Sequence, residues 1–174
     1  MIFGNPYSFA IQIEHLPQWG DSYLNGVFLL HIDSLIINAE VMCEVLDIQA
    51  RDLSAFITSH ANSQKHFSVL PEFVSDFDDN ELHTWLDQMT FPKSADEDQC
   101  WDYVVFISAL SDRGIQLFAF NKDKVDWLFA ASVEQGFLRK VAVDVNECCQ
   151  IAQSAEEYTK HLLSQKLDRL SSNT

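Results

Sequence analysis

In the first third of the chain, apolar positions fall two apart. Ser8 to Glu14 (SFAIQIE) puts Phe9, Ile11 and Ile13 on one side with polar or small residues between them, the period of a half-buried strand. Pro17 and Gly20 interrupt it. Gly26 to Ile32 (GVFLLHI) predicts a second strand, and Asp33-Ser34 a hairpin turn into Leu35–Ile37. Ala39 to Ile48 alternates again, with Val41, Cys43 and Val45 against Met42, Glu44 and Leu46, and reads as extended chain. From about Ala50 the spacing becomes helical. Leu53, Phe56, Ile57 and His60 share one face, which predicts a helix to about Ala61.

Residues 66–74 (HFSVLPEFV) are ambiguous, because their spacing is partly helical while Pro71 breaks a helix interior. Asp78-Asp79-Asn80 offer N-caps for a short helix carrying Leu82, Trp85, Leu86 and Met89. A polar loop, Thr90 to Gln99, follows. Trp101 to Leu110 (WDYVVFISAL) then reads as a strong strand, and Ser111–Gly114 as a hairpin turn. Ile115–Phe120, Val125–Ala131 and Phe137–Val145 predict three more strands, joined by turns at Asn121–Asp123 and Glu134–Gly136. Four strands at hairpin spacing make an antiparallel meander. A helix from Asn146 to about Leu170 follows, with Ile151, Ala152, Ala155, Tyr158, Leu162 and Leu163 on one side, and Ser171–Thr174 form a fraying tail. The expected fold is one α+β domain over residues 1–170, a largely antiparallel sheet packed by helices that include the long C-terminal one. Glu44–Ile57 and Lys140–Ala152 echo each other, each running from an apolar strand through Asp-Ile or Asp-Val into a helix. Either an internal repeat or the common need of such junctions for a polar cap accounts for that.

A chain of 174 residues buries enough surface to fold without disulfides or metal, and 47% hydrophobic with 12% aromatic residues is a globular composition. Charge changes the picture more. Against 26 acidic residues stand 11 basic ones, a net charge of −15. Such a chain repels nucleic acid and anionic membranes, whose phosphates call for lysine and arginine, and attracts cationic partners; plain solubility is the other use of the charge. Cys43, Cys100, Cys148 and Cys149 form no C-x-x-C pair and read as small core residues of a reducing compartment. No basic stretch precedes an apolar one at the start, and no apolar run approaches a membrane span. The expected location is the cytoplasm.

Candidate chemistry is sparse. His15, His31, His60, His66, His83 and His161 show no metal-binding spacing, and no phosphate loop or nucleophile elbow occurs. Asp76 to Asp87 starts like a calcium loop, but the sixth position is Glu81 instead of glycine and the twelfth is Asp87 instead of glutamate. Asp102, the one isolated carboxylate in an apolar stretch, falls on the solvent face of its expected strand. No cofactor, metal or catalytic constellation is indicated. Where the acids sit is more informative. Between Glu72 and Asp102 there are ten acids and a single base, Lys93, a net −9 interleaved with Phe73, Phe77, Trp85, Phe91 and Trp101. Acids that steer and rings that desolvate are how a surface grips a basic protein; an acidic loop packed down by its own rings is the structural alternative. The candidate partner-binding residues are Asp76, Asp78, Asp79, Glu81, Trp85, Asp96, Glu97 and Asp98.

The opening MIFGNPYSFAI, the Trp of Pro17-Gln-Trp19 and the hairpin GVFLLHIDSLIIN resemble the start of the bacterial immunity protein 42 family. Its members begin Ile-Phe-Gly-Asp-Pro and continue into a Phe-Ala-Ile strand; Asn5 stands here in place of the Asp, and both residues suit a turn before proline. The distinctive match spans about the first 35 residues, and beyond them the layout of strands and C-terminal helix is compatible. The resemblance implies a non-enzymatic antidote that binds and blocks a cognate toxin of a polymorphic toxin system. Joined to the acidic segment, it implies a basic toxin domain, a nuclease among the candidates. An acidic adaptor for another basic protein, or a small hydrolase with an unrecognised site, are the alternatives, and the oligomeric state stays open. Within the opening, Ile2 and Phe3 are expected to anchor the core and Gly4-Asn5-Pro6 to turn the chain into the first strand.

Overall fold

The computed structural model describes residues 1–19, 23–37, 44–61, 66–91 and 100–172. The expected run of extended chain from Ala39 falls mostly outside these residues, as do Cys43, Asp96, Glu97 and Asp98.

The opening residues form strand β1 (Ile2–Gly4), which folds back antiparallel on β2 (Phe9–His15) with Phe3 opposite Ile11. Gly4 takes a left-handed φ of +94°, and a Cβ there would sit 2.5 Å from the Phe9 carbonyl oxygen, so this corner requires glycine. The Asn5 side chain accepts from the Tyr7 amide at 3.0 Å and thereby stabilises the turn. Phe3 anchors as expected, packing 5.6 Å from the ring of Tyr158, whereas Ile2 remains 48% exposed. Ile2 and Phe3 point to opposite faces of the sheet, and only the Phe3 side meets the core.

β2 pairs with β3 (Asn25–Ile32), which turns through Asp33-Ser34 into β4 (Leu35–Ile37) and also pairs with β5 (Glu44–Val45). Both turn residues have positive φ, 49° and 66°, the type I′ geometry whose twist matches the flanking strands. Helix α1 (Leu46–His60) begins four residues before the expected Ala50. Leu46 belongs to both patterns: it continues the alternation of the preceding stretch, and it starts the buried helical stripe Leu46, Ala50, Leu53 and Ile57. The helix packs so closely on β3 that a Cβ on Gly26 would lie 2.7 Å from a Leu46 methyl and 2.1 Å from the Glu14 carbonyl oxygen.

The second sheet is β6 (Gln116–Lys122), β7 (Val125–Ser132) and β8 (Phe137–Val143), antiparallel throughout. Its first turn is Asp123-Lys124, both left-handed, later than the expected Asn121–Asp123 because β6 pairs through Lys122. The meander has three strands, not four. Trp101–Leu110 is no strand. It touches β6 through one bridge, Val104 opposite Phe118, and ends in the short helix α3 (Ser108–Ser111), whose turn closes at a left-handed Gly114 where a hairpin was expected. Its run of apolar residues reflects burial in two directions: Val104 enters one core, and Val105, Ile107 and Leu110 enter the other.

Both faces of the second sheet are covered, which explains the near-continuous apolar runs of β6 and β7. Leu117, Ala119, Leu128 and Ala130 face the main core, shared with the five-stranded sheet, α1 and α4 (Val145–Ser172). Phe118, Phe120 and Phe129 face the other way, onto Leu82 and Leu86 of α2 (Asp79–Thr90). This second, smaller core places α2, and with it the acidic segment, on the outside of the sheet. α4 starts at Val145, where the Asp144 carboxylate accepts from the Asn146 and Glu147 amides at 2.8 and 3.1 Å; those bonds hold its pKa below the usual range. The helix continues to Ser172, so Ser171 belongs to it and not to a frayed tail. The echoing junction at Val45 has no side-chain cap, so the two strand-to-helix junctions begin their helices differently.

Candidate partner-docking site

The ambiguous stretch 66–74 has a definite course. Leu70 donates to the Asn121 carbonyl and Asn121 to that of Ser68, at 2.9 and 2.8 Å, so the segment runs along β6. Pro71 then leads a short 3-10 turn, Glu72–Val74. A buried carboxylate holds the start of the stretch. Asp126 on β7 accepts from the Phe67 amide (2.9 Å), the Asn121 side-chain amide (2.9 Å) and the His66 ring (2.6 Å). Each bond satisfies an otherwise costly buried acceptor, and together they hold the start of the segment against β7.

From there the aromatic residues form a continuous ladder. Phe73 meets Phe77 and Trp85 edge-on at 6.4 and 5.9 Å, and Trp85 meets Tyr103 at 5.8 Å. The Tyr103 hydroxyl donates to the Val69 carbonyl at 3.3 Å, and burial with the nearby Cys100 and Asp102 raises its pKa. Phe77, Trp85 and Tyr103 are half-buried against the smaller core, while Phe73 and Val69 are 65% and 66% exposed. Next to the ladder runs a shallow groove lined by Phe77, Asn80, Glu81, Thr84, Trp85 and Gln88. Phe77 and Trp85 thus pack the acidic segment down on its own core, while Phe73 stands out from it.

The acids divide the same way. Asp78 is the N-cap of α2, accepting from the Asn80 and Glu81 amides at 2.8 and 2.9 Å, while Glu81 accepts from the Asp78 amide at 3.0 Å. This reciprocal capping box gives both a structural task, and both remain exposed. Asp79 pairs with Lys140 of β8, whose ammonium also lies 5.0 Å from the Trp127 ring centre. Glu72, Asp76 and Asp102 are exposed. Trp85 and Glu81 line the same groove, Asp78 caps the helix that carries them, and Asp79 turns toward β8. Phe73 is among the rings interleaved with the acids but not among the candidate binding residues, although its place after Pro71 and beside Glu72 is the signal the sequence holds for its exposure.

The thiol and the histidine–carboxylate pair that a hydrolase could use have other surroundings here. Cys148 is buried in the main core, and burial with the neighbouring acids pushes its thiol pKa far up, which suppresses the thiolate a nucleophile needs. Asp126 and His66 are engaged in bracing residues 66–70. Among the described residues no three His, Cys, Asp or Glu side chains converge as metal ligands, and no helix is long and apolar enough to cross a membrane.

With this geometry in hand, a family model described as Immunity protein 42 matches residues 1–158. The crystal structure of CdiI from Burkholderia dolosa AUO158 is similar at a TM-score of 0.71 and 19% identity, covering 88% of this chain and 97% of that one. At that identity the likeness is one of fold. No curated protein matches.

Proposed function

Because the chain belongs to the immunity protein 42 family, it is a toxin-neutralising immunity protein, and we propose that it blocks a basic toxin domain through its acid-rimmed aromatic ladder. The observation that carries this reading is Phe73, a large ring left 65% exposed beside Glu72 and near Asp76. Phe73 does not stand alone: it continues the row of Phe77, Trp85 and Tyr103 beside the groove, and contiguous apolar surface rimmed by charge marks an interaction site. The exposed carboxylates steer a cationic partner into encounter, and the rings hold it once water is expelled. Asp96, Glu97 and Asp98 extend the same acidic run along the chain and would add to the steering. Neutralisation is by occlusion, without catalysis, in the cytoplasm where the toxin would act. The nucleic-acid-binding surface of a nuclease is one basic surface that such a face would cover.

The test is co-expression with the cognate toxin domain, whose gene is expected immediately upstream, together with stopped-flow association at low and high salt. The double variant Glu72→Gln/Asp76→Asn is expected to slow low-salt association about tenfold and to flatten its salt dependence. An unchanged rate and salt slope would sink charge-guided docking on this face while leaving the family function intact.

A further inference from the structure

A second feature lies at the other end of α2. The last turn of that helix, the segment around Val105 and the β6–β7 sheet enclose a cavity of about 330 Å³. Its walls include Phe91, Phe106 and Val133, and its polar groups include Asp87, Gln116 and Glu134. No lysine or arginine lines it among the described residues.

The polar end is built. Asp87 can only accept, so the Gln116 amide nitrogen faces it, donating at 2.5 Å. The Gln116 carbonyl oxygen therefore faces the buried His83, whose Nε2 must carry the proton it donates at 2.7 Å. His83 is fixed in turn, edge-on to Phe118 and Phe129. This chain of bonds orients one carboxylate oxygen of Asp87 toward Gln116, on a residue that lines the cavity, and the second oxygen is not used by Gln116. Two further sources of negative potential join it. The α2 C-terminus, where the Phe91 amide caps the Asp87 carbonyl at 2.8 Å, has no basic residue in its last turn. Glu134 approaches from the β7–β8 turn, close enough to Gly114 that a Cβ there would lie 3.1 Å from its carboxylate.

Apolar walls, two aromatic rings at the rim and a preoriented carboxylate suit one kind of occupant: a long aliphatic stem ending in a cation. We propose that this cavity is a socket for a single arginine or lysine side chain of the toxin, with Asp87 as its charge partner. The inference rests on the toxin-binding reading and deepens it. It assigns recognition to a buried anchor separate from the aromatic ladder, with His83 and Gln116 as positioning residues.

The probe is N-acetyl-arginine amide, titrated into the ¹⁵N-labelled full chain beside its neutral isostere, N-acetyl-citrulline amide. Saturable shifts are expected at the Phe106, Gly114 and Gln116 amides with the arginine probe, and at least about tenfold weaker binding with citrulline. Asp87→Asn retains an oxygen to accept from Gln116 and is expected to weaken the arginine probe about tenfold. Phe106→Ala, at the exposed rim, tests the ring independently and is expected to weaken it two- to threefold, in the range of an exposed cation–π contact. No saturable shift, an equal response to citrulline, or unaltered binding in both variants would overturn the socket. Because the probe is not the toxin, such a failure leaves toxin neutralisation itself standing, and a failed rescue does not mimic it.

Discussion

Phe73→Ala separates the ladder's contribution to binding from its contribution to folding. A phenylalanine buries roughly 200 Å² when fully covered. With 65% of the ring exposed in the free protein, about 130 Å² remains for a partner to cover, worth about 3 kcal/mol at about 25 cal/mol per Å². The covered remainder is about 70 Å², below 2 kcal/mol, and it lies against Trp85 and Phe77, which stay packed on the smaller core without it. The variant should therefore fold, lose less than about 2 kcal/mol in urea, and bind the toxin domain about 100-fold more weakly. The loss should appear in dissociation, because a neutral ring does not steer encounter; surface-plasmon or stopped-flow kinetics would show it. Affinity within threefold of wild type would refute the ladder as the docking face. A loss confined to the association rate would refute the division of labour between rings and acids.

Two further predictions concern residues whose roles are internal. Asp78→Ala removes the α2 cap and is expected to cost about 1 kcal/mol, or roughly 2–4 °C in thermal midpoint for a chain of this size, with the salt slope of toxin association altered far less than by Glu72→Gln/Asp76→Asn; an unchanged midpoint would contradict the capping role. His31 is buried in β3 against Gln12 at 3.0 Å, and burial lowers its pKa below 6.5; His15 shifts the same way through burial, Lys166 and Arg169. The unfolded chain binds these protons more readily, so the stability they support is complete above about pH 6.5 and is lost as the pH falls below it. Urea midpoints should decline from pH 7.5 to 5.5, less steeply in His31→Leu, and equal slopes would show that His31 does not contribute.

Local pattern was enough for much of this molecule. Alternation placed β2, and apolar runs bounded by turn residues placed β3, β6, β7 and β8, within a residue or two. Asp78-Asp79-Asn80 marked the start of α2 as a cluster of capping residues, and the structure singles out Asp78 as the cap with Glu81 closing the box. The opening residues marked the family. The acidic segment was legible as composition, and the exposure of its rings was not. Whether a ring in that stretch faces solvent depends on how α2 lies across β6 and β7, a contact between residues far apart in sequence.

Tertiary structure decided the rest. Trp101–Leu110 has a strand's composition but, among the described residues, bridges to β6 only at Val104, and it is apolar because two separate cores claim alternate parts of it. Asp79 looked like its neighbours and pairs with Lys140, 61 residues away. The chain His83–Gln116–Asp87 joins a helix to a strand about thirty residues on, and neither element carries a motif for it. Sequence determines which residues can cap, pair or pack, because those choices are made within a few bonds of each residue. Which acid is left to face a partner is settled only when the second sheet is covered on both faces and its outer helix takes its place.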